Sequence, residues 1–525
     1  MKLKNFKIWK SLIFFVVILF FSLIIYNGTR HFVQLPYGIH LWRQSLNYSM
    51  IQNFQEPQVS FLKPAMDNLL NPDNTGYLIL EFPIFQWLIS FLPREYFPYF
   101  RWLVFTLSFS GLYFSYLFAY QILKDNFLAI SSVLVIFFTP LFLFYNANYF
   151  LDVPATLWSI SAVYFWHNAI ENNPSEQKNL LIGTILYVLA GLLRLVVLSI
   201  AFAYMIYYFL DVFKKRKALF YYFLSGTALI IAWYIYQQKN NLTYNIRIPM
   251  ETSIFYALKT EIQKTLYSFR DMQFNQFGFI FGNVLSYLIF FFVIGTYWRH
   301  FERYMKILFV FTLLGTITYF LLWFKVFEEH DYYLIPFLPL FFIMFVMLMV
   351  CLNNRLHVKT LYSLNVLILL FCFYHGYENY RLRDFRGWYG WNLNTTKFEE
   401  GMFWWFHEEE NMKWSKIREI SKLDALSKVG IQKHDTVICN FDPTPTFVLS
   451  TLQLKGWTQA NMGGVIMNRL EHYQDFINRG AKYLLHYGDK PIIEDNPKID
   501  SLFKLKLIFQ YDSIKFYRID HLKNY

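Results

Sequence analysis

Long apolar runs recur along this chain, and they restrict what it can fold into. Each run has roughly the 17–25 residues that an α-helix needs to cross the hydrocarbon core of a bilayer. They lie at about 11–27, 100–122, 127–145, 153–169, 180–213, 219–236, 278–297, 307–325, 332–351 and 360–375. The run at 180–213 is too long for one span, so it is predicted to be a hairpin of two helices that turns near Arg194. The sequence therefore predicts about eleven transmembrane helices.

The overall composition favours the same class of protein. Of the 525 residues, 56% are hydrophobic, 22% are aromatic and only 16% are charged, whereas soluble domains carry about 25% charged residues. The formal net charge of +12 does not indicate a nucleic-acid partner, because the basic residues cluster between the apolar runs, as membrane topology requires. Three cysteines are present, and their spacing predicts neither a disulfide framework nor a metal site.

The distribution of lysine and arginine predicts the orientation in the membrane. Basic residues are concentrated in alternate loops, including residues 214–217, whereas the short loops 146–152 and 326–331 contain none. Because basic loops mark the cytoplasmic side, we expect a cytoplasmic N-terminus and an extracytoplasmic C-terminal domain. No small-residue cleavage site follows the run 11–27, which is therefore predicted to be a retained first helix. The expected location is the bacterial cytoplasmic membrane, with multiple passes.

Two parts of the chain are predicted to lie outside the membrane. The first outer loop, residues 28–99, is too long and too rich in aromatic residues to be a mere connector or a disordered segment. Beyond residue 375, short patterns indicate a small α/β domain. Its predicted helices are 416–430 and 466–478, and its predicted strands are 436–439, 483–485, 505–510 and 514–518. We therefore predict a transmembrane domain over 1–375, which includes the loop 28–99, and an extracytoplasmic α/β domain over 376–525.

Ionisable residues occur in several segments that map to the outer side. They are His40 and Arg43 near the start of the first loop, beside the polar Gln44, Glu81 near its end, Asp152 in the turn 146–154, His330, Asp331 and Tyr333 in the turn 328–333, and Arg194 at the predicted hairpin tip. Ionisable residues at membrane depth are costly, so they are functional candidates. A carboxylate could deprotonate an acceptor hydroxyl, and Arg or His could neutralise a phosphate leaving group. This combination suits acyl, phosphoryl or glycosyl transfer from a lipid carrier.

Each candidate also has a purely structural interpretation. The two acids occupy positions typical of helix caps. The two arginines could serve only as ion-pair partners, and the histidine and aspartate of the turn 328–333 could form an ordinary solvated turn. These alternatives stay open at the level of the sequence.

Five short motifs resemble those of a known superfamily. They are Trp42-Arg43-Gln44, Glu81-Phe82-Pro83, His330-Asp331-Tyr332-Tyr333, Asp442-Pro443-Thr444-Pro445 and Lys455-Gly456-Trp457. In their order, and in the long first outer loop, the chain resembles the glycosyltransferases of the C-type membrane fold. The similarity is to family-39-like members of the protein O-mannosyltransferase and aminoarabinose-transferase superfamily, and it covers nearly the whole chain.

The resemblance implies a sugar donor carried on polyprenyl phosphate, an acceptor on the outer face and inversion at the anomeric carbon. It also implies that Glu81 and Asp152 are the catalytic carboxylates. One difference affects the mechanism. Family members carry an acidic pair early in the first loop, whereas this chain has Arg43 and Gln44 near that position. The base of the family therefore cannot be transferred to this chain from the motif alone.

The prediction is an inverting integral-membrane glycosyltransferase that uses a polyprenyl-phosphate sugar, with Glu81 and Asp152 as catalytic residues. The predicted substrate- and phosphate-binding residues are His40, Arg43, Gln44, Arg194, His330, Asp331 and Tyr333. No cofactor is expected, and a divalent metal is left open. The acceptor would be a lipid, a glycan or a protein, and the outer α/β domain would cover the site or select that acceptor.

Three alternatives stay open. A polymerase or ligase would transfer whole lipid-linked oligosaccharides. A transporter or flippase would be expected to show repeat symmetry and helices broken at mid-membrane, neither of which the sequence indicates. A non-catalytic membrane scaffold is the third, because the acidic pair of the family is missing.

Overall fold

A computed structural model describes most of the chain. The described residues are 2–26, 30–37, 40–69, 71, 73–171, 176–214, 216–240, 252–281, 284–328, 330–385, 408–423, 425–459, 470–488, 492, 506–520 and 522. Residue 424 of the predicted helix 416–430, residues 466–469 of the predicted helix 466–478 and residue 505 of the predicted strand 505–510 lie outside them. The chain divides into two compact units. The helical unit comprises residues 1–34, 101–238 and 246–402, and the α/β unit comprises residues 35–100, 239–245 and 403–525.

Nineteen α-helices run through the described residues. In chain order they are α1 Lys2–Ile25, α2 Leu41–Asn53, α3 Ile84–Ser90, α4 Phe100–Leu123, α5 Asn126–Phe137, α6 Pro140–Tyr145, α7 Asp152–Glu171, α8 Glu176–Leu193, α9 Ser199–Tyr207, α10 Ala218–Asn240, α11 Lys259–Phe281, α12 Val284–Tyr297, α13 Arg303–Leu322, α14 Leu338–Asn353, α15 Val358–Phe385, α16 Glu408–Lys422, α17 Ala425–Lys428, α18 Phe447–Leu452 and α19 Leu470–Asn478.

Six helical segments among the described residues are long and apolar enough to cross a membrane. They are Arg94–Leu123, Leu195–Val212, Ala218–Asn240, Arg303–Leu322, Asp331–Asn353 and Val358–Glu378. Shorter apolar helices occur at Ser11–Ile25 and Asn126–Phe137. The predicted number of eleven spans therefore stays a prediction.

The long apolar run 180–213 is broken at Arg194, as predicted. Helix α8 ends at Leu193, and Arg194 has an extended backbone with φ −158° and ψ 101°. Its N–H still donates to Ala190 O over 2.8 Å, so the helix terminates in an ordinary hydrogen-bonded turn. The break leaves the Arg194 side chain at the end of the helix.

A buried polar cluster fixes the turn that leads into α7. Arg101 is fully buried on α4 and donates to Gln34 O at 3.0 Å and to Ala147 O at 3.3 Å. Its guanidinium lies 4.9 Å from the centroid of the Tyr149 ring. His31 Nε2 lies 2.7 Å from the same Ala147 oxygen. Because these contacts hold the backbone of residues 146–151, they determine where Asp152 begins α7.

The α/β unit contains a five-stranded sheet. Its strands are β1 Thr436–Cys439, β2 Lys455–Thr458, β3 Tyr483–Tyr487, β4 Leu507–Tyr511 and β5 Ile514–Arg518, in the order β2-β1-β3-β5-β4. Strand β1 pairs in parallel with β2 and β3, while β5 pairs antiparallel with β3 and β4. Four of the strands match the predicted ones. Strand β2 was not predicted, because Lys455-Gly456-Trp457 lacks the run of β-branched residues that marks a strand.

Hydrophobic side chains cover both faces of this sheet. Val437 and Cys439 of β1 pack on one face with residues of α16 and α18, while Ile438 packs on the other face with α19. This alternation is expected for a strand buried on both sides.

The first outer loop packs in the same unit as the C-terminal residues. Leu41 belongs to one hydrophobic core of the sheet, and Leu69 packs against the other. Asn68 forms a parallel bridge to Gly456, so the loop extends the sheet at the edge strand β2. The predicted domain boundary at residue 375 stays a prediction. By their contacts, residues 35–100 belong to the same compact unit as residues 403–525.

Substitution of Gly456 tests this edge of the sheet. Gly456 has φ +150°, and a Cβ added to it would lie 1.8 Å from Val437 O on the paired strand β1. We expect Gly456→Ala to destabilise the α/β unit by about 3 kcal/mol. The control is Gly480→Ala, where φ is +106° but no atom lies within 4 Å of the new Cβ, so backbone strain alone costs about 1 kcal/mol. Equal losses in denaturant unfolding of the two full-length variants would contradict the steric explanation.

The motif Asp442-Pro443-Thr444-Pro445 organises the start of α18. The Asp442 carboxylate accepts hydrogen bonds from the N–H of Thr444 at 2.8 Å and of Val448 at 2.9 Å. Asp442 is fully buried, and burial raises the pKa of its carboxyl from 3.8 to about 6, against the opposing effect of these hydrogen bonds. The motif is therefore a turn and helix start in this unit.

The raised pKa of Asp442 predicts a pH dependence. A carboxyl whose pKa is higher in the folded than in the unfolded state contributes stability below the unfolded value, and this contribution is lost as pH rises through the folded value. We expect α18 to lose about 3 kcal/mol of protection between pH 4 and pH 7 relative to Asp442→Asn. Amide hydrogen exchange of residues 447–452 in the full chain measures the difference. Parallel pH profiles for both proteins would show that the carboxyl does not titrate in this range.

Candidate active site

The helical unit contains a buried ion pair between two of the predicted residues. Asp152 is the first residue of α7 and is 2% exposed, and Arg194 stands at the break after α8. Arg194 Nε lies 2.5 Å from Asp152 Oδ1. The second carboxylate oxygen, Oδ2, is buried and has no hydrogen-bond partner among the residues that the structure describes. One oxygen of this carboxylate is therefore held by the arginine, while the other has its hydrogen-bonding capacity unused among the described residues.

Aromatic rings surround the Arg194 guanidinium. Its Cζ lies 5.3 Å from the centroid of the Tyr333 ring and 6.0 Å from that of Tyr332. The His330 ring stacks against both tyrosines, with centroid distances of 5.6 Å and 5.9 Å. Tyr319 donates its hydroxyl to Tyr333 O at 3.0 Å. Cation–π contacts of this kind orient an arginine without neutralising its charge.

Asp331 lies in the same cluster but has a different neighbour. It is fully buried and accepts a hydrogen bond from the Tyr145 hydroxyl on α6. The Phe150 ring lies 5.4 Å from that of Tyr332. The structure thus brings together the turns 146–154 and 328–333 and Arg194, three of the segments that the sequence singled out.

The two ends of the first outer loop meet each other within the α/β unit. Arg43 at the start of α2 forms a buried ion pair with Glu81 Oε1, and each side chain is 7% exposed. Glu81 Oε2 is buried and, within the described part of the chain, has no hydrogen-bond partner. Glu81 does not cap α3, whose preceding residue is Pro83. The capping interpretation of Glu81 therefore does not apply.

Two other residues of this loop support its backbone. The Gln44 amide donates to Tyr37 O at 2.7 Å and accepts from Tyr37 N–H at 3.3 Å. His40 is buried and precedes α2 with a left-handed backbone, φ 52° and ψ 41°. Both residues therefore support the backbone of the segment that contains Arg43.

The two ion pairs share a chemical pattern. In each, one carboxylate oxygen binds an arginine, and the other oxygen is buried without a hydrogen-bond partner in the described ranges of the chain. An unpaired buried acceptor costs free energy, so it marks a place where a donor group of a ligand would be favoured. A guanidinium has five N–H donors in a planar fork that suits phosphate. In each pair, the carboxylate can therefore accept a proton and the guanidinium can bind an anion.

Metal binding has no structural support in the described part of the chain. No group of three or more His, Cys, Asp or Glu residues lies together there in a way that could hold a metal ion. A divalent metal stays an open expectation.

Sequence reasoning missed several tyrosines of this cluster. Tyr145, Tyr319 and Tyr234 were not among the candidates, although Tyr145 contacts Asp331 and the Tyr234 hydroxyl accepts from Leu195 N–H at 3.2 Å. With 40 tyrosines in the chain, these residues carry no distinguishing local signal. They join the cluster only because segments that are distant in sequence pack together.

The fold of this chain matches that of solved structures. No family model matches the chain, and no curated protein matches it in sequence. The structure of ArnT from Cupriavidus metallidurans bound to undecaprenyl phosphate matches with a TM-score of 0.59 and 9% identity, over 97% of this chain and 97% of that chain. The apo ArnT structure matches with a TM-score of 0.56 and 10% identity, over 98% of each chain.

A third match is more distant. The Archaeoglobus fulgidus oligosaccharyltransferase, in a complex with Zn and sulfate, has a TM-score of 0.48 and 13% identity, over 90% of this chain and 68% of that chain. This TM-score is too low to support a comparison of folds.

The ArnT matches establish the class of the fold. At 9–10% identity over nearly the whole of both chains, the similarity concerns the fold alone. The chain has the C-type fold of membrane glycosyltransferases. The predicted fold class, a polytopic α-helical membrane protein with a C-terminal α/β domain, is confirmed, and the resemblance is confirmed at the level of the fold.

Proposed function

We propose that this protein is a membrane glycosyltransferase that moves a sugar from a polyprenyl-phosphate carrier to an acceptor on the outer face of the cytoplasmic membrane. The observation that carries the proposal is the ion pair of the buried Asp152 with Arg194 in a chain with the C-type fold. One oxygen of this carboxylate has no hydrogen-bond partner among the residues described. The bound undecaprenyl phosphate in the ArnT structure supports a carrier of this chemical class.

The proposed reaction is a single displacement at the anomeric carbon. Asp152 Oδ2 takes the proton of the acceptor hydroxyl as the hydroxyl oxygen attacks the anomeric carbon. The bond between that carbon and the carrier phosphate oxygen breaks, and its electron pair leaves with the polyprenyl phosphate. Attack from the face opposite the phosphate inverts the anomeric centre. Arg194 stabilises the charge that develops on the phosphate, because charge-assisted hydrogen bonds strengthen as the anion forms.

Arg194 combines an anchored guanidinium with an accessible edge. Its Nε is engaged by Asp152, while the side chain is 23% exposed. We assign its terminal nitrogens to the phosphate, and the nearby rings of Tyr332 and Tyr333 orient the guanidinium. His330 stands beside these rings and completes the proposed phosphate site.

Glu81 is the alternative base, with Arg43 as its partner. Both residues repeat the pattern of the first pair, but each is only 7% exposed. We assign the base to Asp152 because the Arg194 side chain beside it is open to a ligand. In this proposal Arg43 remains a phosphate-binding residue, and Glu81 orients it.

Two measurements on the purified full-length protein in lipid nanodiscs test the proposal. The first is the affinity for undecaprenyl phosphate. The second is the release of undecaprenyl phosphate from a panel of single-sugar carriers, with cell-envelope lipids, glycans and proteins as acceptors. Saturable binding and release from one carrier are the expected results. Release only from carriers of whole oligosaccharides would favour the polymerase or ligase, and binding without release from any carrier would favour a transporter or scaffold.

A further inference from the structure

A buried ionic cluster joins the first outer loop to strand β2 within the α/β unit. Lys455 Nζ lies 2.9 Å from Glu56 Oε1 and 3.3 Å from Asp67 Oδ1, and it donates to Asn53 Oδ1. A lysine ammonium has three N–H donors, so these contacts use its full capacity. The Lys455 side chain is only 12% exposed, and solvent therefore screens these charges weakly.

The cluster holds the C-terminal half of α2. Asp67 Oδ2 accepts the Ser49 hydroxyl at 2.7 Å, and Asp67 Oδ1 accepts Asn53 Nδ2 at 2.9 Å. The Asp67 N–H donates back to Ser49 Oγ at 2.8 Å. Ser49 and Asn53 are four residues apart, so they lie on one face of the helix. Through Asp67, the ammonium of Lys455 fixes that face against the sheet.

Three further contacts fasten α2 to the C-terminal residues. Leu41, its first residue, belongs to the hydrophobic core of the sheet. Gln52 Nε2 donates to Ser450 O at 3.2 Å, and the Thr446 hydroxyl donates to Ser45 O at 3.4 Å. A helix anchored along its length moves as one body. From Arg43 to Asn53 it spans about 15 Å.

We propose that Lys455 is a positioning residue for the Arg43–Glu81 pair. By neutralising Asp67 and Glu56, it keeps α2 seated on the sheet and thereby sets where the Arg43 guanidinium stands. The C-terminal domain then holds the first outer loop in position. This role differs from that of a lid or of a module that selects the acceptor. The link from Arg43 to the carrier phosphate rests on the proposed function, whereas the seating of α2 does not.

The charge balance explains why one lysine has this effect. Without its ammonium, the buried carboxylate of Asp67 would lose its cation, while the partly exposed Glu56 would keep His434 Nδ1 at 3.3 Å. An unpaired buried charge is strongly unfavourable, and the least costly response is for α2 to shift until water reaches the carboxylate of Asp67. Because Arg43 is carried by the same helix, the shift would displace it relative to Glu81.

The first test compares Lys455→Met with Lys482→Met in the full-length protein. Lys482 also forms an ion pair in this domain, with Asp435 at 2.8 Å, but it is 55% exposed. We expect amide exchange of residues 49–53 to become about tenfold faster in Lys455→Met and to be unchanged in the control. Unchanged exchange in both variants would overturn the seating of α2 by Lys455. If Lys455→Met does not fold, Lys455→Gln makes the same comparison, because it removes the charge but keeps an N–H donor near Asn53 Oδ1.

The second test asks whether Lys455 acts through Arg43, with undecaprenyl phosphate as the probe. We expect Lys455→Met to weaken binding about tenfold, and Lys455→Arg, which keeps the cation, to restore most of the affinity. In a background of Arg43→Met with Glu81→Gln, which removes both charges of the pair, Lys455→Met should have no further effect on the dissociation constant. Additive losses would show that Lys455 does not act through the pair and would overturn the proposal.

The two tests separate this inference from the proposed function. If the unmodified protein does not bind undecaprenyl phosphate, the proposed function fails, and the exchange of residues 49–53 still decides whether Lys455 seats α2. If binding is intact and exchange does not respond, the positioning role fails alone.

Discussion

Replacing Asp152 by Asn is expected to lower sugar transfer by about 10³-fold, within the range that a positioned general base contributes. Asparagine keeps the shape of the side chain and can still accept a hydrogen bond from Arg194. It cannot accept the proton of the acceptor hydroxyl, because its amide is not basic. Binding of undecaprenyl phosphate should change much less, since that contact belongs to Arg194. The measurement is the rate of undecaprenyl phosphate release with the preferred carrier at saturation.

Two matched variants make the result specific. Asp211→Asn removes a carboxylate from another ion pair of the helical unit, with Arg303 at 3.1 Å, and should leave transfer unchanged. Glu81→Gln tests the alternative base. A loss of about 10³-fold in Glu81→Gln, with Asp152→Asn near full activity, would move the base to Glu81. Full activity in both single variants would contradict a carboxylate base at either position.

Replacing Arg194 by Met is expected to weaken undecaprenyl phosphate binding about 100-fold, which corresponds to about 2.7 kcal/mol. The guanidinium is the partly exposed cation of the cluster, and hydrogen bonds between charged groups are about twice as strong as neutral ones. Arg194→Lys should recover only part of the affinity, because an ammonium lacks the planar fork that the tyrosine rings hold. The dissociation constants are measured by titration in nanodiscs at two salt concentrations.

The effect of Arg194 on folding has to be separated from its effect on binding. Removing the arginine leaves Asp152 as an unpaired buried charge, which costs about 3–5 kcal/mol of stability. The double variant Arg194→Met with Asp152→Asn removes both charges and should regain most of that stability without regaining affinity. If the double variant bound undecaprenyl phosphate as tightly as the unmodified protein, Arg194 would not be a phosphate ligand.

The local parts of the fold could be predicted because they depend on short periodic patterns. Apolar runs of helical length predicted membrane helices, and the excessive length of the run 180–213 predicted the break at Arg194, which is present. Alternating residues predicted β1, β3, β4 and β5. Strand β2 was not predicted because glycine is rare in strands. Gly456 is required in this strand because a side chain there would collide with Val437 O.

The candidate site was predicted as residue types on one side of the membrane, but not as pairs. The sequence predicted Glu81 and Asp152 as catalytic residues and His40 and Gln44 as substrate-binding residues, without saying which of them touch. In the structure Gln44 is used by the backbone of Tyr37, whereas each acid binds an arginine through one oxygen and has no hydrogen-bond partner for the other among the described residues. Which residues touch depends on the packing of helices that are distant in sequence, and no local period records it.

The sequence by itself determined that this chain is a membrane protein of many helices with an α/β domain, because the free energy of placing side chains in lipid depends on composition and length. Only the tertiary structure decided the pairings that suggest chemistry. Asp152 and Arg194 are 42 residues apart, Arg43 and Glu81 are 38 apart, and Tyr145 and Asp331 are 186 apart. It also decided that the first outer loop is seated on the C-terminal sheet, since Lys455 meets Asn53 across 402 residues. A buried charge is unfavourable unless it has a partner. Charges become buried, and distant partners meet, only when the chain folds.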